Sequence, residues 1–407
     1  MPVLRLIRSA LIELRHAPTG QAPALDFLRT LAVLLVVVGH VDAAFARVLR
    51  PTVLSQLPFV RNGWVGVDLF FVLSGYLIGR QIWNELQKTG TIHVGAFLLR
   101  RGLRIWPLYF FVFTVCILLG AGTATHWWSD VVFLTNYFRH NGVVRGSWSL
   151  CTEEHFYILA PALVLLGCRL RWKPSAYRYV LAAVLLAEPM LRSMEWLYMT
   201  KRFFAHDQHA WEPIYYNFHT HCDGLALGLL LAHFAVFGLP RWAEFLNSKW
   251  APVCALVIFG ALWAVQREVF AFTGLTVVFG SMLWFAVTHP LDLKFTKFPP
   301  FYWASRLSFG IYLNHDYLVD PLLRRLYSDA GITRELLAIA IVICASAALA
   351  VVTFVLIEHP FLELRKRLLR TKRFVSSSGR TLANSQKLSR MLPMTIMSAV
   401  PAEASRD

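Results

Sequence analysis

The residues with chemical capacity in this sequence are ionisable groups set inside apolar runs. Arg29 and His40 lie in DFLRTLAVLLVVVGHVDAAFAR, Asp68 in GVDLFFVLSGYLIGR, Glu153 in SWSLCTEEHFYILAP, Asp223 at the head of DGLALG and His315 in SFGIYLNHDYLVDP. In a membrane segment such groups are costly and face a protein interior or a cavity, so they read first as a functional site. A histidine with a carboxylate partner is the standard equipment for proton abstraction: the carboxylate fixes the tautomer and steadies the protonated ring while the other nitrogen works as base. The spacing predicts that Asp68 or Glu153 supplies that partner to His40.

Helical geometry divides these residues by depth. Arg29 and His40 are eleven residues apart, about three turns, so they share a face, and Asp26 lies within about 40° of it. The rise separates Arg29 from His40 by roughly 16 Å. Counting from the helix ends puts His40, Asp68 and Glu153 roughly 6 to 10 Å below the outer boundary, with Asp223 and His315 near the same chamber. Adjacent Glu153 and Glu154 point about 100° apart, and Glu153 is the one expected to face the chamber; the alternative puts both in a wet outer vestibule. Arg100, Arg101 and Arg104, in RRGLRIWPLYF, cluster at the opposite, inner mouth. Their readings are membrane orientation with anionic-lipid contact, or capture of a phosphorylated ligand by planar guanidinium forks. His219, His221 and Asp223 are too small a set to predict a metal. His315 also suits a structural histidine, and Gly66, Gly75 and Gly79 read as close helix packing ahead of a break lining a cavity.

The elements that must position these groups are membrane helices. The chain has 407 residues, 57% hydrophobic and 16% charged, outside the usual composition of a soluble domain. Apolar runs of spanning length fall near 27–47, 64–84, 104–122, 148–167, 179–197, 222–238, 250–266, 269–288, 306–322 and 336–357. An all-α integral membrane protein of about ten transmembrane helices follows. The net charge of +16 does not point to nucleic acid, because most Lys and Arg sit between apolar runs on one side, which also puts both termini in the cytoplasm. The least secure runs are the fifth, with Glu188, Pro189 and Arg192, and the tight turn at Gln266 to Glu268 between the seventh and eighth. Residues 1–23 read as a cytoplasmic lead-in, 24–363 as the membrane domain and 364–407 as a basic, disordered cytoplasmic tail. The six scattered cysteines read as small core residues.

Taken in order, LDFLRTLAVLLVVVGH, GVDLFFVLSGYLIG, RRGLRIWPLYF, WSLCTEEHFY, the Asp-Gly start of the sixth run, SFGIYLNH and IEHPF resemble acyltransferase family 3, the polytopic membrane O-acyltransferases, over about residues 24–363. The resemblance implies transfer of an acyl group, commonly acetyl from acetyl-CoA or another acyl-CoA, to a carbohydrate hydroxyl of the envelope or a secreted molecule at a bacterial-type inner membrane. It maps the family's first-helix arginine and histidine onto Arg29 and His40, and its basic motif onto Arg100, Arg101 and Arg104. Together with the depths counted along the helices, this makes His40, Asp68 and Glu153 the catalytic candidates, Arg29 and the three arginines the donor-binding ones, and Asp223, His315 and Trp148 the acceptor-binding ones. Ser74 and Ser149 are candidates for a covalent route. Expected partners are acyl-CoA as co-substrate, a carbohydrate, the bilayer and polysaccharide-assembly proteins, with no permanent cofactor, no metal and no nucleic acid; oligomeric state is left open. Asn314 stands where an aromatic residue is expected, and His221 with Cys222 where an arginine is common. The competing reading is a proton-coupled transporter or flippase, which also needs buried histidine, carboxylate and arginine.

Overall fold

The computed structural model describes residues 2–15, 23–48, 53–120, 126–138, 142–203, 212–289, 298–326 and 332–369. The loop around His206 and His209 and the tail beyond 369 lie outside them. The described residues are helical, without strands. They form α1 (Pro2–Arg15), α2 (Pro23–Val48), α3 (Pro58–Arg61), α4 (Val65–Thr89), α5 (Val94–Leu118), α6 (Trp127–Val131), α7 (Trp148–Arg169), α8 (Pro174–Phe203), α9 (Glu212–Tyr216), α10 (Asp223–Phe237), α11 (Ala251–Thr288), α12 (Pro299–Leu326) and α13 (Ile332–Thr353). A π-helical turn, Phe354–Glu358, follows α13.

Each of the ten apolar runs overlaps a helix, the seventh and eighth sharing α11, but six helices among the described residues, not ten, are long and apolar enough to cross a membrane, seven if the bent pair Asp223–Phe237 and Arg241–Asn247 counts as one span. Helices α8 and α12 do not meet that standard, and each carries a charge that is matched inside the protein. Arg192 of α8 is fully buried and donates to Asp223 Oδ2 at 2.8 Å and to Thr273 Oγ1 at 2.7 Å. Arg306 of α12 donates to Glu13 of α1. Paired in this way, they are tolerated where an unpaired charge would not be. Helical assignment is continuous through α11, yet a Cβ built on Gly274 would lie 3.2 Å from the Phe259 Cα. Residues fifteen apart on a straight helix would be about 22 Å apart. The segment therefore doubles back, and Trp284 donates to Asn247 at 2.9 Å along the same hairpin.

In lipid, helices associate by close packing more than by hydrophobicity, so small residues set the arrangement. Cβ atoms at Gly75 and Gly228 would each come 2.2 Å from a backbone oxygen across the α4/α10 contact, of Leu225 and Val72 respectively. Close approach is thus the role of the α4 glycines. Helix α4 packs on α10 and α2, α2 on α12, and α12 on α13, while α7 packs on α4 and α5 on α7. Asp26 fixes the α2/α12 contact: its carboxylate accepts from Ser305 at 2.7 Å, and Thr30, one turn on, donates to the Phe301 carbonyl at 2.9 Å. Helix α1 is amphipathic, with Ala10 and Leu14 buried and Leu4, Arg5 and Arg8 exposed.

Candidate active site

Two cavities open where α2, α4, α7 and α12 meet. One, of about 230 Å³, is bordered by Arg29, Arg101, Arg104, Glu153, Ser74 and Tyr157. The other, of about 1300 Å³, is bordered by His40, Asp316, Arg47, Arg61 and an aromatic wall that includes Trp64, Trp148 and Tyr215. Val67 and Tyr312 border both. They form a septum, in which the Tyr312 hydroxyl donates to the Gly146 carbonyl at 3.1 Å and lies 2.5 Å from Ser149 Oγ.

Sequence periodicity builds the arginine cavity directly. Arg101 and Arg104 are three apart on α5 and lie on one face. Arg29 faces them from α2, and Glu153 from α7 lies within electrostatic range of Arg29 and Arg101. Tyr157, one turn beyond Glu153, donates to it at 3.0 Å and lies 3.3 Å from Ser74 Oγ. Arg101 also stands 5.9 Å over the Tyr157 ring, and its Nε has no hydrogen-bond partner among the described residues. Three converging guanidinium groups around a small cavity can hold an anion such as a phosphate. Arg100 does not join them; it donates to Glu85 at 3.2 Å.

At the other cavity the histidine has a partner that differs from the expected one. His40 Nδ1 lies 2.6 Å from His315 Nε2, and the two rings are nearly parallel, 7° apart, with centroids 4.9 Å apart. His315 Nδ1 faces the Tyr312 carbonyl at 2.7 Å. A carbonyl only accepts, so that nitrogen carries the proton. In a neutral ring Nε2 then accepts, His40 Nδ1 donates to it, and the His40 Nε2 lone pair is left free. Asp316 supplies a negative charge within range of both rings. The pair can take up a proton at His40, with a carbonyl at the far end holding the tautomer.

Asp68 and Glu153, the expected partners of His40, are elsewhere. Asp68 Oδ1 lies 2.8 Å from His221 Nε2, and His221 Nδ1 lies 2.5 Å from the Tyr215 carbonyl. Depth along a helix says nothing of azimuth around it, and Asp68 points towards α10, away from α2. Glu153 lies in the arginine cavity. Asp223 borders neither cavity, being paired with Arg192, whereas Trp148 does border the larger one and stacks on His221 at 5.9 Å. His221 is thus the group that meets Asp68. Beside it, the Cys222 thiol donates to Glu188 at 2.7 Å. The buried Asn314 Nδ2 has no partner among the described residues. Sequence reading passed over Tyr312, Tyr157 and Arg47; Tyr157 is four residues from Glu153 and Tyr312 three from His315, which puts each on its neighbour's helical face.

A family model described as an acyltransferase domain matches residues 23–358. The chain is 25% identical over 374 residues to the peptidoglycan O-acetyltransferase OatA of Listeria monocytogenes, covering 83% of this chain and 55% of that protein. It is 26% identical over 375 residues to the O-acetyltransferase OatA of Staphylococcus aureus, covering 83% and 57%. A putative O-acetyltransferase of Staphylococcus aureus is 30% identical over 182 residues, 37% of this chain and 26% of that one. The chain therefore spans little more than half the length of the two proteins that it matches over most of its own sequence. No solved structure matches.

Proposed function

The chain belongs to the acyltransferase domain family, and from that premise we propose that it moves an acyl group, acetyl in the first instance, from cytoplasmic acyl-CoA to a hydroxyl of an envelope or secreted carbohydrate. The observation that carries this reading is the pair of cavities: arginines on one side of the Val67 and Tyr312 septum, a histidine pair on the other. Phosphates of the donor lie on Arg29, Arg101 and Arg104, and the sugar enters the larger cavity. The charge bias of the sequence supports ten spans with both ends cytoplasmic, which puts the arginine cavity inwards and the larger cavity outwards in a bacterial-type inner membrane.

For the two substrates to react, Tyr312 must swing aside and admit the thioester. His40 Nε2 then takes the proton of the sugar hydroxyl as its oxygen attacks the thioester carbon; the carbon–sulfur bond breaks, and the proton passes from His40 to the departing thiolate. The new bond is an ester and the by-product a free thiol, so atoms and charge balance. His315 and Asp316 stabilise the transient imidazolium. Asp68, with His221 beneath Trp148, serves the reaction through the wall of the larger cavity, and Glu153 orients Arg101 and Tyr157 at the smaller one. Asp223 acts at one remove, through its pairing with Arg192.

Membranes containing the chain, given acetyl-CoA labelled in the acetyl group, test this reading. Transfer of label to glycan by the wild type and not by His40→Ala, at equal expression, is the expected result. Uptake of a substrate without any acylation would replace the enzyme by the transporter.

A further inference from the structure

The charges of the larger cavity are unequal. Among the described residues, Arg47, Arg61, Arg145 and His40 border it against one carboxylate, Asp316. Arg145 is satisfied, because it donates to Asp320 at 2.6 Å and lies 5.8 Å over the Tyr317 ring. Arg47 spends its Nε on the Ala43 carbonyl of its own helix at 3.2 Å, and neither Arg47 nor Arg61 has a carboxylate partner among the described residues. Nearby Asp42 is engaged by Ser55, and Asp316 serves the histidine pair. Arg47 and Arg61 therefore present cationic forks to the cavity that holds His40. They are at the end of the bundle opposite Arg29 and Arg104, where the charge bias that orients membrane helices disfavours arginine.

We propose that the acceptor is an acidic sugar, whose carboxylate binds Arg47 and Arg61 while a hydroxyl of the same or the adjoining ring faces His40. This rests on the larger cavity being the acceptor chamber. A guanidinium fork matches a carboxylate with two parallel hydrogen bonds, which fixes orientation as well as supplying attraction. The aromatic wall of Trp64, Trp148 and Tyr215 suits the apolar faces of sugar rings, since these side chains combine a flat apolar body with a polar edge. At about 1300 Å³ the cavity exceeds the range that suits a single small ligand, so a chain of sugars fits better than one ring. Charge selects the substrate at one end, the rings pack along the wall, and the reacting hydroxyl is set by the distance between them.

The test is binding, read separately from catalysis. Purified full-length protein is titrated with trigalacturonate and with its methyl ester, which keeps the rings and removes the charge. The acid is expected to bind about tenfold more tightly than the ester. That advantage should weaken with salt, vanish in Arg47→Gln with Arg61→Gln, and survive largely in the paired lysine variants, all with unchanged melting temperature. Equal affinity for acid and ester, no binding of either, or an advantage that the glutamine variants retain would overturn the proposal. Displacement of the acid by phosphatidylglycerol vesicles but not by neutral lipid would assign the arginines to lipid headgroups and overturn it as well. Because His40→Ala should keep the charge preference while losing transfer, failure of the acyltransferase reading is visible separately.

Discussion

The two cavities differ in size, lining and the kind of order they impose. The smaller one, about 230 Å³, holds three arginines, each on a long helix, and a carboxylate bound by a tyrosine. The larger, about 1300 Å³, has a wall of aromatic rings and is bordered by His40, which pairs with His315 behind it. A tight cationic site fits the constant, charged part of a donor, and a roomy aromatic one fits a variable acceptor. The two share little besides Val67 and Tyr312, so chemistry that needs both must pass through those side chains. On the proposed function, placing ionisable groups in two separate cavities would let one bundle bind at one face and react at the other.

That contrast can be broken at its catalytic end first. His40→Ala should lower acyl transfer by roughly 10² to 10⁴ at saturating donor, with donor KM little changed, as measured with labelled acetyl-CoA in membranes. At the other end, Arg101→Ala or Arg104→Ala should raise donor KM by about tenfold or more, with a smaller change in kcat, since each removes charge-assisted hydrogen bonds to a phosphate. A fall in kcat alone would mean that the arginines act in the chemistry and the division of labour is wrong. His315→Ala should cost less than His40→Ala, on the order of tenfold, and His315→Gln should recover part of it, because an amide oxygen can still accept from His40 Nδ1. The smallest effect belongs to the septum. Tyr312→Phe loses the hydrogen bonds to Gly146 and Ser149 and should raise acceptor-independent hydrolysis of acetyl-CoA by a few-fold, an amount consistent with about 1 kcal/mol for a hydrogen bond.

Much of this arrangement is legible in the sequence, for specific reasons. Apolar length locates the helices, and the turn between the seventh and eighth runs is visible because Gln266, Arg267 and Glu268 interrupt two apolar stretches. Arg29 and His40 separate by depth because one straight helix carries both. Pairing between helices is harder to read. Depth placed Asp68, Glu153 and His40 at one level, but Asp68 meets His221, and Glu153 faces Arg101 across the other cavity. Arg192 puts a charge inside the fifth run; α8 is not among the helices apolar enough to cross a membrane, and Asp223 matches that charge inside the bundle. Tyr312 was invisible for a different reason: a tyrosine in an apolar helix has the composition of ordinary core, and only two cavities meeting at its ring distinguish it.

The central claim is that donor and acceptor occupy opposite cavities. A photoreactive acyl-CoA analogue, activated on the purified protein and located by peptide mapping, tests it most directly without any acceptor. Cross-links should fall on the α5 and α7 segments that carry Arg101, Arg104 and Tyr157, and should be lost in Arg101→Ala with Arg104→Ala. Cross-links concentrated instead on Trp64, Trp148 or Tyr215, and unaffected by those substitutions, would contradict the account.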